Sequence, residues 1–314
     1  MTLGAALIIG AALAAFAGPS VLRPFAQRAR DPLAVMICWM GSIIAVPVTF
    51  ATGVGLLLLP GGGPAGLFGA LLHHCWSVIR HGRAPGVDEL LGAFGVAVMI
   101  VIAGRFLQIA VARARAGRRV HRAHLGLAAV TTPAADVSAT VLWLDHARPV
   151  AYSVAGRPGL VVASSGLRQL PPAQVAAVLA HERAHLHGRH HQLVALTQAL
   201  ATAAPVVPLF RHAPDAMRLL VELCADAAAA RLHGRPAVRA ALLALQGPAA
   251  SEHALAMADG DLAPRLSRLH PYRPAAGVAR RTFTRTAAAV AAPALPAIFG
   301  LGVTLLVVAV TCPA

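Results

Sequence analysis

Residues 170–188 read LPPAQVAAVLAHERAHLHG, and the rest of the chain can be placed by asking what this stretch must be. Pro171 and Pro172 suit the first turn of a helix, where a missing N–H is no loss; an alanine-rich body follows, and Gly188 marks the stop. On that helix His181 and His185 stand four residues apart, so both imidazoles leave one face and can bind a single ion. Glu182 follows the first histidine and is placed to reach a water beside the metal rather than the metal itself. This is the HExxH pattern. Composition alone would produce it about 0.01 times in a chain with 15 histidines among 314 residues, so chance explains it poorly.

Zinc suits such imidazoles, and a position left open to water lets the ion lower the pKa of that water to about 7. Glu182 would then take the proton and return it to a leaving amine. A third protein ligand is needed. Residues 218–234, RLLVELCADAAAARLHG, form a second helical stretch in which Glu222 and Asp226 are also four apart and share a face. Glu222 would complete a His, His, Glu set for one zinc ion per chain. Asp226 would hydrogen-bond a ligand histidine from behind.

The surroundings of this motif are those of a membrane protein. The chain is 57% hydrophobic and only 12% charged, with a mean hydropathy of +0.67, which is wrong for a soluble enzyme. Its net charge of +15 comes entirely from arginine on the basic side. The arginines cluster beside apolar segments, as membrane-flanking charges do, so no direct nucleic-acid binding is expected. Cys38, Cys75, Cys224 and Cys312 are scattered, with no CxxC pairing, and imply neither a disulfide framework nor a cysteine-based metal site.

Four stretches can cross a hydrocarbon core, at about 2–22, 33–59, 90–111 and 287–310. Ala15-Phe16-Ala17 resembles a signal-peptide cleavage site, but nothing basic precedes the first apolar run, and Arg23, Arg28 and Arg30 follow it. The expectation is a retained helix with its N-terminus outside. That topology puts Arg113 to Arg285 on the cytoplasmic side, with Arg80 and Arg83 as the minority outside. The apolar patch at 66–79 is too short to span and reads as interfacial.

The expected fold is therefore a membrane protein, mainly α, with about four transmembrane helices and an α+β zincin-like catalytic domain between the third and fourth. Residues 1–112 hold three helices, 113–285 a cytoplasmic zinc metallopeptidase domain, and 286–314 the C-terminal helix. Three short β-branched runs, at 139–144, 149–154 and 159–164, open the domain. The last, GLVVAS, reads equally as an edge strand able to pair with an extended substrate or as an internal strand. The segment 192–210, broken by Pro205 and Pro208, reads first as a membrane-dipping hairpin beside the zinc site, ahead of a buried core helix or a fifth span.

Residues 159–191, GLVVASSGLRQLPPAQVAAVLAHERAHLHGRHH, followed 37 residues after His185 by ELCADAAAA, resemble the BlaR/MecR-type membrane metallopeptidases of the gluzincin kind. HtpX-type membrane metallopeptidases share the HExxH and the E-x-x-x-D helix more distantly. The resemblance covers roughly 140–245 in motif detail, and the layout of three helices before and one after supports the first kind. It implies that His181, His185 and Glu222 bind zinc, that Glu182 is catalytic and that Asp226 supports the site. The implied activity is a zinc endopeptidase acting on a protein substrate, a transcriptional repressor, in regulatory signalling. Two readings from other classes stand beside it: a zinc-binding signal transducer without proteolysis, and a quality-control protease of the HtpX type.

Many relatives carry an aspartate about five residues after the second ligand histidine, where this chain has His190 and then His191. The chain also closes just after its fourth helix, so no extracellular β-lactam-binding sensor domain is expected. His187, His190 and His191 read as solvated or headgroup-facing residues past the helix end. Arg265 and Arg268 read as cytoplasmic surface arginines rather than partners of Asp226. His270 and Tyr272 have the chemistry to stabilise an oxyanion, though nothing in the spacing demands it.

Overall fold

The structure, a computed structural model, describes residues 3–28, 31–58, 87–131, 141–246, 262–270 and 277–311. Three long helices come first: α1 (Leu3–Arg28), α2 (Pro32–Leu58) and α3 (Val87–Thr131). Three short strands follow, β1 (Val141–Leu144), β2 (Ala151–Val154) and β3 (Leu160–Ser164). The chain then forms α4 (Pro172–His187), α5 (His190–Ala203), α6 (Pro208–His233) and α7 (Arg235–Gln246). A short helix α8 (262–268) and the long α9 (Val278–Thr311) complete the described chain. The patch at 66–79 and Tyr272 lie outside the described residues.

Among the described residues four helices are long and apolar enough to cross a membrane, with candidate spans Leu3–Gln27, Pro32–Leu58, Leu90–Leu127 and Ala279–Leu305. This is a multi-pass, mainly helical membrane fold with a small mixed sheet between the third and fourth spans. The helix that carries the third span continues past residue 111. Alanine and arginine are strong helix formers and no proline comes before Pro133, so the helix runs unbroken through the arginine cluster to Thr131. The expected division at 112 falls inside this helix.

Helices α1, α2 and α9 pack together through small residues, which let backbones approach where lipid supplies no hydrophobic drive. Gly10 on α1 lies so close to α9 that a Cβ there would collide with the carbonyl oxygen of Pro296 and the backbone of Gly300. Helix α6 is wedged into the same bundle. Leu209, Phe210, Ala213, Met217 and Leu220 of α6 share one buried core with Ala14 and Ala15 of α1 and Trp39, Ile43 and Val46 of α2. Leu209 packs against Gly18, nine residues inside the Gln27 end of the first candidate span, or about 14 Å along a helix rising 1.5 Å per residue. Within 192–210 the structure has α5, a break at 204–207 and the first turn of α6. Arg105 and Arg113 of α3 reach across to α5, at Thr202 O (3.5 Å) and Gln198 Oε1 (2.6 Å).

The sheet has the order β1-β3-β2, with β3 parallel to β1 and antiparallel to β2. GLVVAS thus supplies the central strand: Leu160–Ser164 is buried at every residue and paired on both sides, and it has no edge to offer a substrate. Among the described residues β2 is an edge, and α4 packs across it. A second core joins the sheet to α4, α6, α7 and α8 through Ala163, Leu167, Val178, Ala229, Leu242 and Leu269.

Gly10→Val is expected to cost about 1–3 kcal/mol by overpacking the α1–α9 crossing. The check is the melting temperature in detergent, which should fall by several degrees, whereas Gly104→Val, with nothing near its missing Cβ, should leave it unchanged.

Candidate metal centre

The HExxH helix delivers both histidines to one place. His181 Nε2 and His185 Nε2 lie 3.1 Å apart, and Glu222 from α6 closes the triangle, with Oε2 3.3 Å from His181 Nε2 and Oε1 3.4 Å from His185 Nε2. Four bonds of about 2.0–2.1 Å in tetrahedral array put neighbouring donor atoms about 3.3 Å apart. The three side chains are therefore spaced as zinc ligands, and they are the metal-competent group found among the described residues. His181 Nδ1 lies 3.0 Å from Asp226 Oδ1, so its N–H donates to that carboxylate and leaves the Nε2 lone pair for an ion. Asp226 is only 4% exposed. Every site residue expected from the sequence is brought together here.

Two groups expected at the surface belong to the site instead. His190 is 5% exposed and its Nδ1 lies 3.1 Å from His185 Nδ1. A His185 that kept its Nε2 lone pair free to hold an ion would carry its proton on Nδ1 and donate to His190. The local backbone explains this reversal. Helix α4 ends at Gly188, Arg189 adopts a left-handed conformation at φ 50, and α5 starts at once, folding the His190 ring back over Gly188. A Cβ at residue 188 would collide with that ring, so Gly188 is needed for close approach as well as for the helix stop. His191 Nε2 lies 3.0 Å from Ser153 Oγ on β2. His187 and His191 are both exposed, but His187 keeps clear of the site and bonds only locally, 2.7 Å from Arg183 O.

Arg265, the second correction, reaches the site from α8. Its Nε and Nη2 donate to Asp226 Oδ2 (2.8 Å) and Oδ1 (2.9 Å), and its Nη1 lies 3.1 Å from Glu222 Oε2. Only 15% of its side chain is exposed. A bidentate guanidinium–carboxylate pair this sheltered is far stronger than a surface ion pair. Arg268 turns away, donating to the carbonyls of Ala26 and Gln27 at the end of α1.

The electrostatics follow from these contacts. Burial opposes a charged His181, but its hydrogen bonds to Asp226 and Glu222 outweigh burial and lift its pKa to about 9. Burial would raise Glu222, yet the His181 hydrogen bond and the Arg265 charge hold it at about 2. Asp226 is likewise held at about 2, where the Arg265 and His181 hydrogen bonds overcome burial. Burial lowers His185 to about 3 and His190 to about 4. Glu182 moves the other way: burial raises it, only partly offset by the His181 charge and a hydrogen bond from Ser153. A carboxylate pushed up in this way is better matched to general-base work near neutral pH.

The site opens into a cleft of about 560 Å³, walled by Tyr152 and Ser153 of β2, Val194 and Gln198 of α5, Arg218 of α6 and Leu262 of α8. Residues 112–218 match the family model described as Peptidase family M48. That match takes in the sheet and the HExxH helix and stops four residues short of Glu222. It supports a metallopeptidase of that family. No curated protein and no solved structure matches the chain.

Ligation needs a neutral imidazole, so below about pH 9 a proton competes with the ion at His181. Apparent zinc affinity of the metal-free protein should climb by about tenfold per pH unit from pH 7 towards 9, measured by competition with a chromophoric chelator. A flat profile would contradict the charge assignment. His190→Ala should weaken zinc binding about 10–100-fold in the same assay, while His187→Ala should not.

Proposed function

We propose that this protein is an integral membrane zinc endopeptidase that hydrolyses peptide bonds in a protein substrate. The observation that carries the reading is the convergence of His181, His185 and Glu222 within ligand spacing, with a partly buried Glu182 beside them in the same cleft. His181, His185 and Glu222 would hold the ion, and Asp226 and His190 would fix the two imidazoles. Zinc held this way supplies a Lewis acid and makes water a stronger nucleophile at neutral pH. Glu182 takes the proton from the attacking water and passes it to the leaving amine. Ser153, bonded to the Glu182 carboxylate, keeps that group oriented. The edge strand β2 offers backbone groups to an extended peptide, in the manner of β-augmentation, and Tyr152 and Ser153 of that strand line the cleft.

The arginines of α3 and the start of α9 favour a catalytic domain on the cytoplasmic face of the cell membrane, by the positive-inside rule. The packing of α6 between α1 and α2 favours a hairpin at 192–210 that enters the bilayer, with the cleft near the headgroups. A substrate segment close to the membrane is then the natural one to reach it. Within this class, the layout of three spans before the domain and one after favours the BlaR/MecR-type over the HtpX-type, and with it cleavage of a transcriptional repressor in regulatory signalling.

The test is Glu182→Gln in purified full-length protein incubated with a candidate repressor. Zinc content should stay at one ion per chain while cleavage falls by about 10²–10⁴. Fragments that form equally in the variant would sink the mechanism, and a zinc-loaded wild type that yields no fragments from any repressor or unfolded membrane protein would favour a transducer without proteolysis.

A further inference from the structure

Behind the metal centre the fold leaves a larger cavity of about 1480 Å³. Its walls come from the start of α2, the outer face of α4, the second half of α6 and the start of α9. Seven arginines line it, against two carboxylates among the described residues. Both carboxylates are already committed. Asp31 accepts from Arg285 Nε at 2.8 Å, and Asp226 from Arg265 Nε at 2.8 Å. Arg235 and Arg268 donate to backbone carbonyls of His270, Ala26 and Gln27. Arg183, Arg231, Arg280 and Arg281 complete the wall, with no carboxylate partner among the described residues.

Four like charges around one space repel one another, and that repulsion is relieved by an anion. The level of the cavity indicates the source. Asp31 and Pro32 stand where α2 begins, and Arg280 and Arg281 where the candidate span Ala279–Leu305 begins, so the arginines lie at the shared end of three spans, the depth of headgroup phosphates. The remaining wall includes Leu33, Met36, Leu223 and Leu269. An arginine ring beside aliphatic wall suits an amphiphile with a phosphate at its head.

We propose that this rear cavity binds the phosphate of an anionic phospholipid through Arg183 and Arg231, with Arg280 and Arg281 at its mouth. The same phosphate chemistry also exists free in solution, and the experiment separates the two sources.

Full-length protein in non-ionic detergent is titrated with phosphatidylglycerol, phosphatidylcholine and inorganic phosphate, and adducts are counted by native mass spectrometry. Arg183 and Arg231 are the positions to change, because both are exposed and neither flanks a span, whereas Arg280 and Arg281 also set topology. Phosphatidylglycerol should bind at least tenfold tighter than phosphatidylcholine, and the Arg183→Gln/Arg231→Gln double variant should lose that tenfold preference with its melting temperature kept. Arg148→Gln, outside the cavity, should retain it. If the double variant is destabilised, each single substitution should still weaken phosphatidylglycerol binding about threefold. Inorganic phosphate that binds and is lost in the same variants, with no lipid preference, assigns the site to solution phosphate. Anionic lipid binding that survives both substitutions, or no preference for phosphatidylglycerol together with no phosphate binding, overturns the assignment.

Discussion

Glu222 and Asp226 project four residues apart from one face of α6, Asp226 buried and Glu222 at the wall of the cleft, and two carboxylates held this close must be compensated. Leaving one buried and unpaired costs several kcal/mol. Here the compensation comes from two directions. Arg265 takes both oxygens of Asp226 and touches Glu222, while His181 lies between the same two carboxylates. Without an ion, the proton on His181 supplies positive charge at the centre, and a dication ligated there would replace it. The charge balance thus ties α4, α6 and α8 to one another and makes their meeting point one that suits a cation.

This requirement reaches into the bundle of candidate spans because α6 is one continuous helix. Its first half is cemented between α1 and α2 by Leu209, Ala213, Met217 and Leu220, all fully or nearly fully buried, and its second half carries the carboxylates. A shift of the spans is therefore carried along the helix to the third metal ligand, since close-packed cores transmit displacement rather than absorb it. The long α3 makes a second link. His124 of α3 bonds Tyr152 Oη at 3.1 Å, and Tyr152 belongs to the strand that walls the cleft.

Local signals made part of this legible in the sequence. His181, Glu182 and His185 share a helix, and Glu222 and Asp226 share another, so a four-residue spacing sufficed to put each set on a face. The spans were legible because twenty apolar residues in a row have few other uses. Apart from the meeting of Glu222 with the two histidines, contacts closed over long distances in the chain were not. Arg265 meets Asp226 across 39 residues, and its own segment, APRLSRLHPYRP, carries nothing that separates it from a surface turn. His190 is closer, but its role depends on the backbone reversal at Gly188 and Arg189. The available signal was a helix stop followed at once by histidine, at the position where related motifs carry an aspartate. The central place of GLVVAS was also unreadable, because an apolar strand of five looks the same in the middle of a sheet as at a sheltered edge.

The metal centre and the arginine-lined cavity share a partition one side chain thick. His190 faces both spaces, and Asp226, which holds His181, also forms part of the rear wall. Whatever fills the rear cavity therefore lies against the two groups that fix the tautomers of the two histidine ligands. A phosphate there would neutralise arginine charge close to Asp226, and lowering the positive potential around that carboxylate makes His181 more basic, to the ion as well as to the proton. Any such influence is reciprocal by thermodynamic linkage, so an ion bound in front would alter the affinity for the anion behind. The fold places the arginine-lined cavity where an occupant can act on the ligands without entering the cleft.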